Sequence, residues 1–248
     1  MIPVDDAETL SRLFHLNSEP WLNEEAYRGS PFHQEYKNHP NATARIYLPA
    51  PSRGQLATLF SNRRSIRAFA DWLMPLSELS DLLFAAYGVV EIAKMETSGG
   101  EYLRRSVPSA GALYPLELYL LLHHINGLED GLYHYHSISH TLEQIWTRDW
   151  SSACREAFYT FPFIVGVNVV ICHTAVFSRC QTKYGPRGYR YILLEAGHSA
   201  QNICLAADEL GLATLCMGGF KDRVLNNLLG LVPLEEGVVY TVAIGRAG

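Results

Sequence analysis

The 248-residue chain predicts one large domain of mixed helices and strands, and three stretches predict it. Residues 117–124 form a nearly continuous apolar run between turn residues, the pattern of a buried strand. Residues 163–171 repeat that pattern with β-branched side chains. Residues 191–210 place Ile192, Leu193, Ala196, Ala200, Ile203 and Ala207 at the helical period, and Gly211 stops them, which predicts a long scaffold helix.

The composition agrees. Forty-eight per cent of the residues are hydrophobic, enough at this length for a sizeable core. A formal charge of −5 offers no basic surface to nucleic acid or an anionic membrane. Cys154, Cys172, Cys180, Cys204 and Cys216 are odd in number and show no Cys-x-x-Cys spacing, so they read as reduced thiols of a cytoplasmic protein. The acidic first eight residues lack the order of a signal peptide. No apolar run approaches the ~20 residues that span a bilayer.

Taken in order, residues 1–50 read as an N-terminal arm. Leu10, Leu13 and Phe14 give a short amphipathic start, and Trp21, Tyr27, Pro31, Phe32, His33, Tyr36, His39 and Pro40 follow without period. Two readings stay open: an arm packed through its aromatics on another surface such as a second subunit, and a partly disordered leader. Residues 51–248 are regular. Leu56, Leu59 and Phe60 mark a short helix closed by Ser61-Asn62. Ser77 reads as the cap of a helix ending at Gly88, and 94–104 as a mobile polar loop. Residues 127–144 read as a hairpin, 152–159 as a helix and 179–190 as a basic, glycine-punctuated loop. A strand over 213–216 leads into Gly218-Gly219. A short helix runs from Asp222 to near Gly230, and a last strand over 238–244 delivers Arg246.

Candidate binding residues fall in three places. Arg63, Arg64 and Arg67 crowd Ser65 in one short segment, and planar, always-charged forks suit a phosphate; a solvated basic loop is the other reading. The turn Pro108-Ser109-Ala110-Gly111 carries only small side chains, which let a planar ligand or a backbone approach closely. Gly218 and Gly219 at a strand end leave main-chain N–H groups within reach of a ligand. His123, His124, His134, His136 and His140 raise a metal reading, and alternation puts His134 and His136 on one face. With no carboxylate or thiol cluster evident nearby, they read as ordinary hairpin histidines and no metal is expected. No Gly-x-Gly-x-x-Gly or Walker sequence is present, so the phosphate and flat-ring features suit a mononucleotide or a flavin.

Five motifs occur in unbroken order: Arg-Arg-Ser-x-Arg-x-Phe from Arg63, Pro-Ser-Ala-Gly-Ala-Leu-Tyr-Pro-Leu-Glu from Pro108, Gly-Leu-x-x-Gly-Leu-Tyr-His-Tyr from Gly127, Tyr-Arg-Tyr-x-x-Leu-Glu-Ala-Gly-His-x-Ala-Gln-Asn from Tyr189, and Gly-Gly-Phe from Gly218. Together they resemble the nitroreductase superfamily, and more narrowly the SagB-type (McbC-like) dehydrogenases, the FMN-dependent azoline oxidases of thiazole/oxazole-modified peptide pathways. The segment 32–37 resembles that subfamily too. The resemblance implies an α+β fold with a mostly antiparallel central sheet flanked by helices, in an intertwined homodimer with FMN at the interface. It implies that Arg63, Arg64, Ser65 and Arg67, with Arg246, hold the phosphate and ribityl chain. Pro108, Ser109, Ala110 and Gly111 would line the ring from the partner subunit, and Gly218 and Gly219 would face its N5 edge.

The same resemblance implies a catalytic pair, Lys183-Tyr184. Arg179, Arg187 and Arg190 around that lysine would favour the neutral amine a general base requires. Glu195, Gln201 and His198 read as caps or dimer contacts outside the site. The implied activity is oxidation of a thiazoline or oxazoline ring, peptide- or carrier-bound, to the azole, with dioxygen reoxidising the flavin and a cyclodehydratase as a possible partner. The alternatives are an NAD(P)H-dependent nitro or quinone reductase and, in another class, a non-catalytic subunit that binds a leader peptide or a partner enzyme.

Overall fold

A computed structural model describes residues 7–18, 39–51, 54–94 and 101–248. Its spine is β9 (Glu236–Ala247), which pairs along one run with β7 (Val169–Val176). Beyond β7 the order continues through β4 (Leu116–Leu122), β5 (Gly131–His136) and β6 (Thr141–Thr147). Two further strands, β8 (Ala213–Met217) and β1 (Phe69–Ala70), pair with consecutive stretches of β9. Every pairing in this seven-stranded sheet is antiparallel.

Both faces of the sheet are covered, which explains the unbroken apolar runs. Alternate residues of a strand point to opposite faces. On β4, Leu116, Leu118, Leu120 and Leu122 join one core, and Leu121 joins the other. On β7, Val169 and Ile171 lie in the first, and Val170 and Cys172 in the second. The first core also holds α3 (Leu76–Tyr87) and α6 (Arg187–Glu209); the second holds α4 (Ser151–Ala157) and α7 (Asp222–Leu229). At 23 residues α6 is the longest helix described, and its buried stripe runs from Ile192 to Ala207. The Asn202 amide clamps it to α3, donating to Ala85 O at 3.1 Å and Ser106 O at 3.0 Å.

The structure corrects four local readings. Ser77 caps nothing: α3 starts at Leu76 after Pro75, with no side-chain cap. Of residues 94–104, Lys94 and Glu101 to Arg104 belong to paired strands, β2 (Val89–Lys94) and β3 (Glu101–Arg105), and 95–100 lie outside the described residues. The strand expected over 163–171 begins only at Val169, because a 3-10 turn (Phe161–Phe163) and Gly166, at φ +82°, precede it. The expected loop over 179–190 is helical: α5 (Phe177–Tyr184) and α6 meet at Gly185, φ +54°. Pro186 misled the sequence reading, yet proline is tolerated in a helix's first turn, where its missing N–H costs nothing.

In the arm, α1 (Ala7–Asn17) packs on its own chain. The Arg12 guanidinium donates to Gln181 Oε1 at 3.2 Å, and Gln181 donates to the Ser11 hydroxyl. His15 is buried between the Phe177 and Tyr189 rings. Trp21, Tyr27, Pro31, Phe32, His33 and Tyr36 lie outside the described residues. Among the described residues no helix is long and apolar enough to cross a membrane.

Candidate cofactor and active site

The small-residue turn is held in a conformation side chains resist. Gly111 sits at φ +63°, and Ala112 and Tyr114 follow at +54° and +45°. Non-glycine residues there cost on the order of 1 kcal/mol each and persist only where their surroundings over-determine them. Here they do. The Ser109 hydroxyl accepts from the Tyr114 amide at 2.9 Å, and the Tyr114 hydroxyl accepts from the Arg105 amide at 3.1 Å. The Arg105 guanidinium lies over the Tyr87 ring at 4.3 Å and the Tyr114 ring at 5.1 Å.

Beneath the turn, Glu195 of α6 is 2% exposed. Burial pushes its carboxyl above the usual range, opposed by hydrogen bonds from Ser109 and Tyr87 and by the Arg105 charge. The Tyr87 phenol donates to Glu195 at 2.6 Å and accepts from the Leu116 amide at 3.2 Å. One network thus fixes the turn, the start of β4 and α6 together.

Lys183 and Tyr184 converge on this turn. A Cβ added at Gly111 would lie 2.6 Å from the Tyr184 hydroxyl and 2.8 Å from Lys183 Nζ. That approach, as much as the positive φ, requires glycine. Lys183 is exposed in the last turn of α5, its Nζ 5.3 Å from the Tyr184 ring centre, and Tyr184 stands edge-on to Tyr191 at 5.0 Å. Arg179 does not crowd the lysine with free charge, as the sequence suggested, because it pairs with Glu117 at 2.5 Å. Burial works against the Glu117 charge, but His134 and Arg179 hold its carboxyl below the usual range.

The histidines also have acidic company that the sequence did not reveal. His134 contacts Glu117 at 3.1 Å and Glu143 at 2.8 Å, and its pKa is raised chiefly by the Glu117 hydrogen bond. His123 and His124 contact Asp130 and Asp71.

The arginine segment lies at the other end of α6. It follows α2 (Gln55–Asn62) and hangs on β8, where the Ile66 amide donates to Thr214 O at 3.0 Å and Ser65 bridges Thr214. Arg63 and Arg64 rim a cavity of about 250 Å³ with Cys204, Asp208, Thr214 and Ala247. Arg67 and Arg246 stand outside that lining, over Phe163 at 6.0 Å and Trp72 at 5.4 Å. Among the described residues no carboxylate oxygen lies within 4.0 Å of any of these four guanidiniums. Unneutralised forks grouped in this way suit an anion. At the far end of β8, a Cβ at Gly218 would meet nothing within 4 Å, and at Gly219 only the Tyr159 ring edge at 3.9 Å. That open backbone has room for a planar group. The residues present therefore fit a flavin mononucleotide, with phosphate at the arginines and ring at the glycines.

Within one chain the two sets do not meet. The turn is bound at Glu195 and the arginines adjoin Cys204 and Asp208, about 14–20 Å apart along α6 at 1.5 Å per residue.

Comparison with known proteins bears on this arrangement. The Nitroreductase family model matches residues 60–246. The chain belongs to the nitroreductase family. Similar members include MJ1384 of Methanocaldococcus jannaschii, itself named as a nitroreductase, 34% identical over 82% of this chain and 97% of its own. The trifolitoxin-processing protein TfxB of Rhizobium leguminosarum bv. trifolii is 31% identical over 84% of this chain, which spans 58% of TfxB. The E. coli microcin synthetase McbBCD complex, solved with truncated pro-MccB17 bound, contains a chain of the same fold: TM-score 0.73, 22% identity, covering 99% of this chain and 95% of that one.

For this nitroreductase-family chain, the sequence reading left out Tyr87 and Arg105 and took Glu195 for a cap or dimer contact, yet these three residues hold the turn. The signal was present for Glu195. It lies on the same helical stripe as Ile192, Ala196 and Ser199, and a carboxylate on a buried stripe needs partners.

Proposed function

We propose that the chain is an FMN-dependent dehydrogenase of the SagB type, oxidising a thiazoline or oxazoline ring in a peptide or carrier-bound intermediate to the azole. The observation that carries this reading is the convergence of Lys183 Nζ and the Tyr184 hydroxyl on the Gly111 turn. A general base must stand within reach of the proton it takes, and this pair stands beside the backbone that would face the substrate ring. Lys183 Nζ takes the acidic proton next to the azoline carbonyl, and the Tyr184 hydroxyl orients the ring. A bound FMN would supply the acceptor for the hydride of the neighbouring carbon, with dioxygen as the final oxidant. Gly218 and Gly219 would present main-chain donors to the flavin edge, and Arg63, Arg64, Ser65 and Arg67, with Arg246, would hold the phosphate end.

The separation of turn and arginines along α6 supports a homodimer in which the turn of one subunit, Pro108 to Gly111, completes the site built on the arginines of the other. The processing role in TfxB's name and the substrate-bound McbBCD assembly support a peptide substrate and a partner such as a cyclodehydratase.

Lys183→Ala and Tyr184→Phe, purified with flavin content measured, test the reading. Retained yellow colour with lost azoline oxidation is expected; full turnover in both variants overturns the assigned roles. The family membership and the MJ1384 relative favour a second reading, an NAD(P)H-dependent reductase of nitro or quinone compounds. Rapid oxidation of NADPH with a nitroarene would favour that one.

A further inference from the structure

Two of the five cysteines stand against each other. Cys204 of α6, buried, and Cys216 of β8, half-buried, bring their Sγ atoms to 3.6 Å; Cys154, Cys172 and Cys180 are buried too and show no thiol neighbour at such range. Cys204 lines the cavity rimmed by Arg63 and Arg64, which gives a small solute a route to it. The Thr214 hydroxyl donates to Cys204 Sγ at 3.5 Å, and the Tyr240 phenol hydrogen-bonds Cys216.

We propose that Cys204 and Cys216 are a peroxide-modified dithiol that closes reversibly to a disulfide. Accessibility, a positive neighbourhood and an adjacent second thiol are what distinguish oxidisable cysteines from inert buried ones. Cys204 borders the cavity, and hydrogen bonding from Cys216 lowers its thiol pKa, against burial and with help from Thr214 and Arg63, so Cys204 is the thiol that attacks. Cys216 is pushed up and keeps its proton until the second step.

The chemistry balances with hydrogen peroxide as the oxidant. Cys204 Sγ attacks one peroxide oxygen, the O–O bond breaks, and the departing oxygen keeps its own proton, gains the one the Cys204 thiol gives up, and leaves as water. Cys216 Sγ then attacks the sulfenic sulfur, the S–O bond breaks, and a second water leaves with the Cys216 proton. Two thiols lose two electrons to one peroxide, giving one disulfide and two waters. The Sγ atoms must close from 3.6 Å to about 2.05 Å, a movement of under an ångström on each side.

The modification would be felt at the arginines. Thr214 touches Cys204 through its hydroxyl and holds Ile66 through its carbonyl, so drawing β8 toward α6 shifts the segment that carries Arg63, Arg64 and Arg67.

The test needs no flavin and no substrate, so it stands or falls apart from the function proposed above. The full chain is treated at neutral pH with a few equivalents of hydrogen peroxide, quenched with an alkylating reagent, and its free thiols counted after denaturation. Two of five thiols should be lost, with a mass decrease of two hydrogens, and dithiothreitol should restore all five. Cleavage after Glu209 separates the two cysteines, so the disulfide appears as a linked peptide pair. Cys216→Ser should stop at a sulfenic acid on Cys204 that dimedone traps; Cys204→Ser should leave Cys216 reduced. Five intact thiols in treated wild-type protein, or a linkage through Cys154, Cys172 or Cys180, would overturn the proposal. Over-oxidation of Cys204 with Cys216 still free would do the same.

Discussion

The two ends of α6 are finished to different degrees. At the Glu195 end, most buried groups satisfy one another: phenol to carboxylate, hydroxyl to amide, guanidinium over two rings, with Arg105 Nε left unpartnered. At the Cys204–Asp208 end, four exposed or half-exposed arginines carry charge that no described carboxylate neutralises within 4.0 Å. The first end is tied together by the chain's own groups, and its mutations should register as stability. On the proposed function the second takes the flavin phosphate, and its mutations should register as affinity. Glu195→Ala is the severest test of that division. It strands the Tyr87 phenol and the Ser109 hydroxyl in the core, and losing one partner of a buried charged network costs roughly 3 kcal/mol or more. We expect a cooperative urea transition at a markedly lower midpoint. Glu195→Gln, which keeps one acceptor, should recover more than half of the loss.

Between the ends, His173 Nε2 lies 2.9 Å from the Ser199 hydroxyl, fully buried. Burial lowers its pKa from 6.5 to about 4. A depressed value means the fold holds the neutral ring, so this stabilisation is fully present above pH 6.5. It drains away as the pH falls toward 4, by about 3 kcal/mol across the window. Urea midpoints for wild type and His173→Gln, measured from pH 7.5 to 4.5, should show the wild-type slope flattened in the variant. Parallel slopes would remove His173 from the acid response.

The arginines should behave oppositely. Arg63→Ala, Arg64→Ala and Arg67→Ala each remove a charged donor worth about 1.5–2 kcal/mol to a phosphate, a loss of roughly ten- to thirtyfold in FMN affinity. Exposed or half-exposed as they are, their removal should move apo stability by no more than about 0.5 kcal/mol. Unchanged flavin affinity in all three would separate the segment from the phosphate.

The same contrast explains what could be read without coordinates. Arginine clusters, paired glycines and apolar runs are local patterns, so Arg63–Arg64, Gly218–Gly219, β4 and α6 were legible. The role of Glu195 was not, because its partners Tyr87 and Ser109 are 108 and 86 positions away in the chain. Two polar identities become one network only after α3 has packed on α6. Residues 179–190 misled for a related reason. Gly185, Pro186 and Gly188 signal a loop by composition, yet a Cβ at Gly188 would lie 3.0 Å from the Cys180 carbonyl carbon. That glycine permits close approach of α5 and α6; it does not break a helix.

The finest test sets one glycine against another. Gly111→Ala adds a methyl at φ +63° in a place already filled by Tyr184 and Lys183. It should cost about 1–2 kcal/mol and displace the pair, so that stability and azoline oxidation fall together. Gly218→Ala adds the same methyl where nothing stands within 4 Å and where φ is not positive. The apo protein should then melt within about 0.5 kcal/mol of wild type, the smallest stability effect expected here. Flavin affinity should nevertheless drop, because the methyl enters the space assigned to the ring. If Gly218→Ala binds FMN as tightly as wild type, the ring lies elsewhere, and the open backbone after β8 is only a strand end.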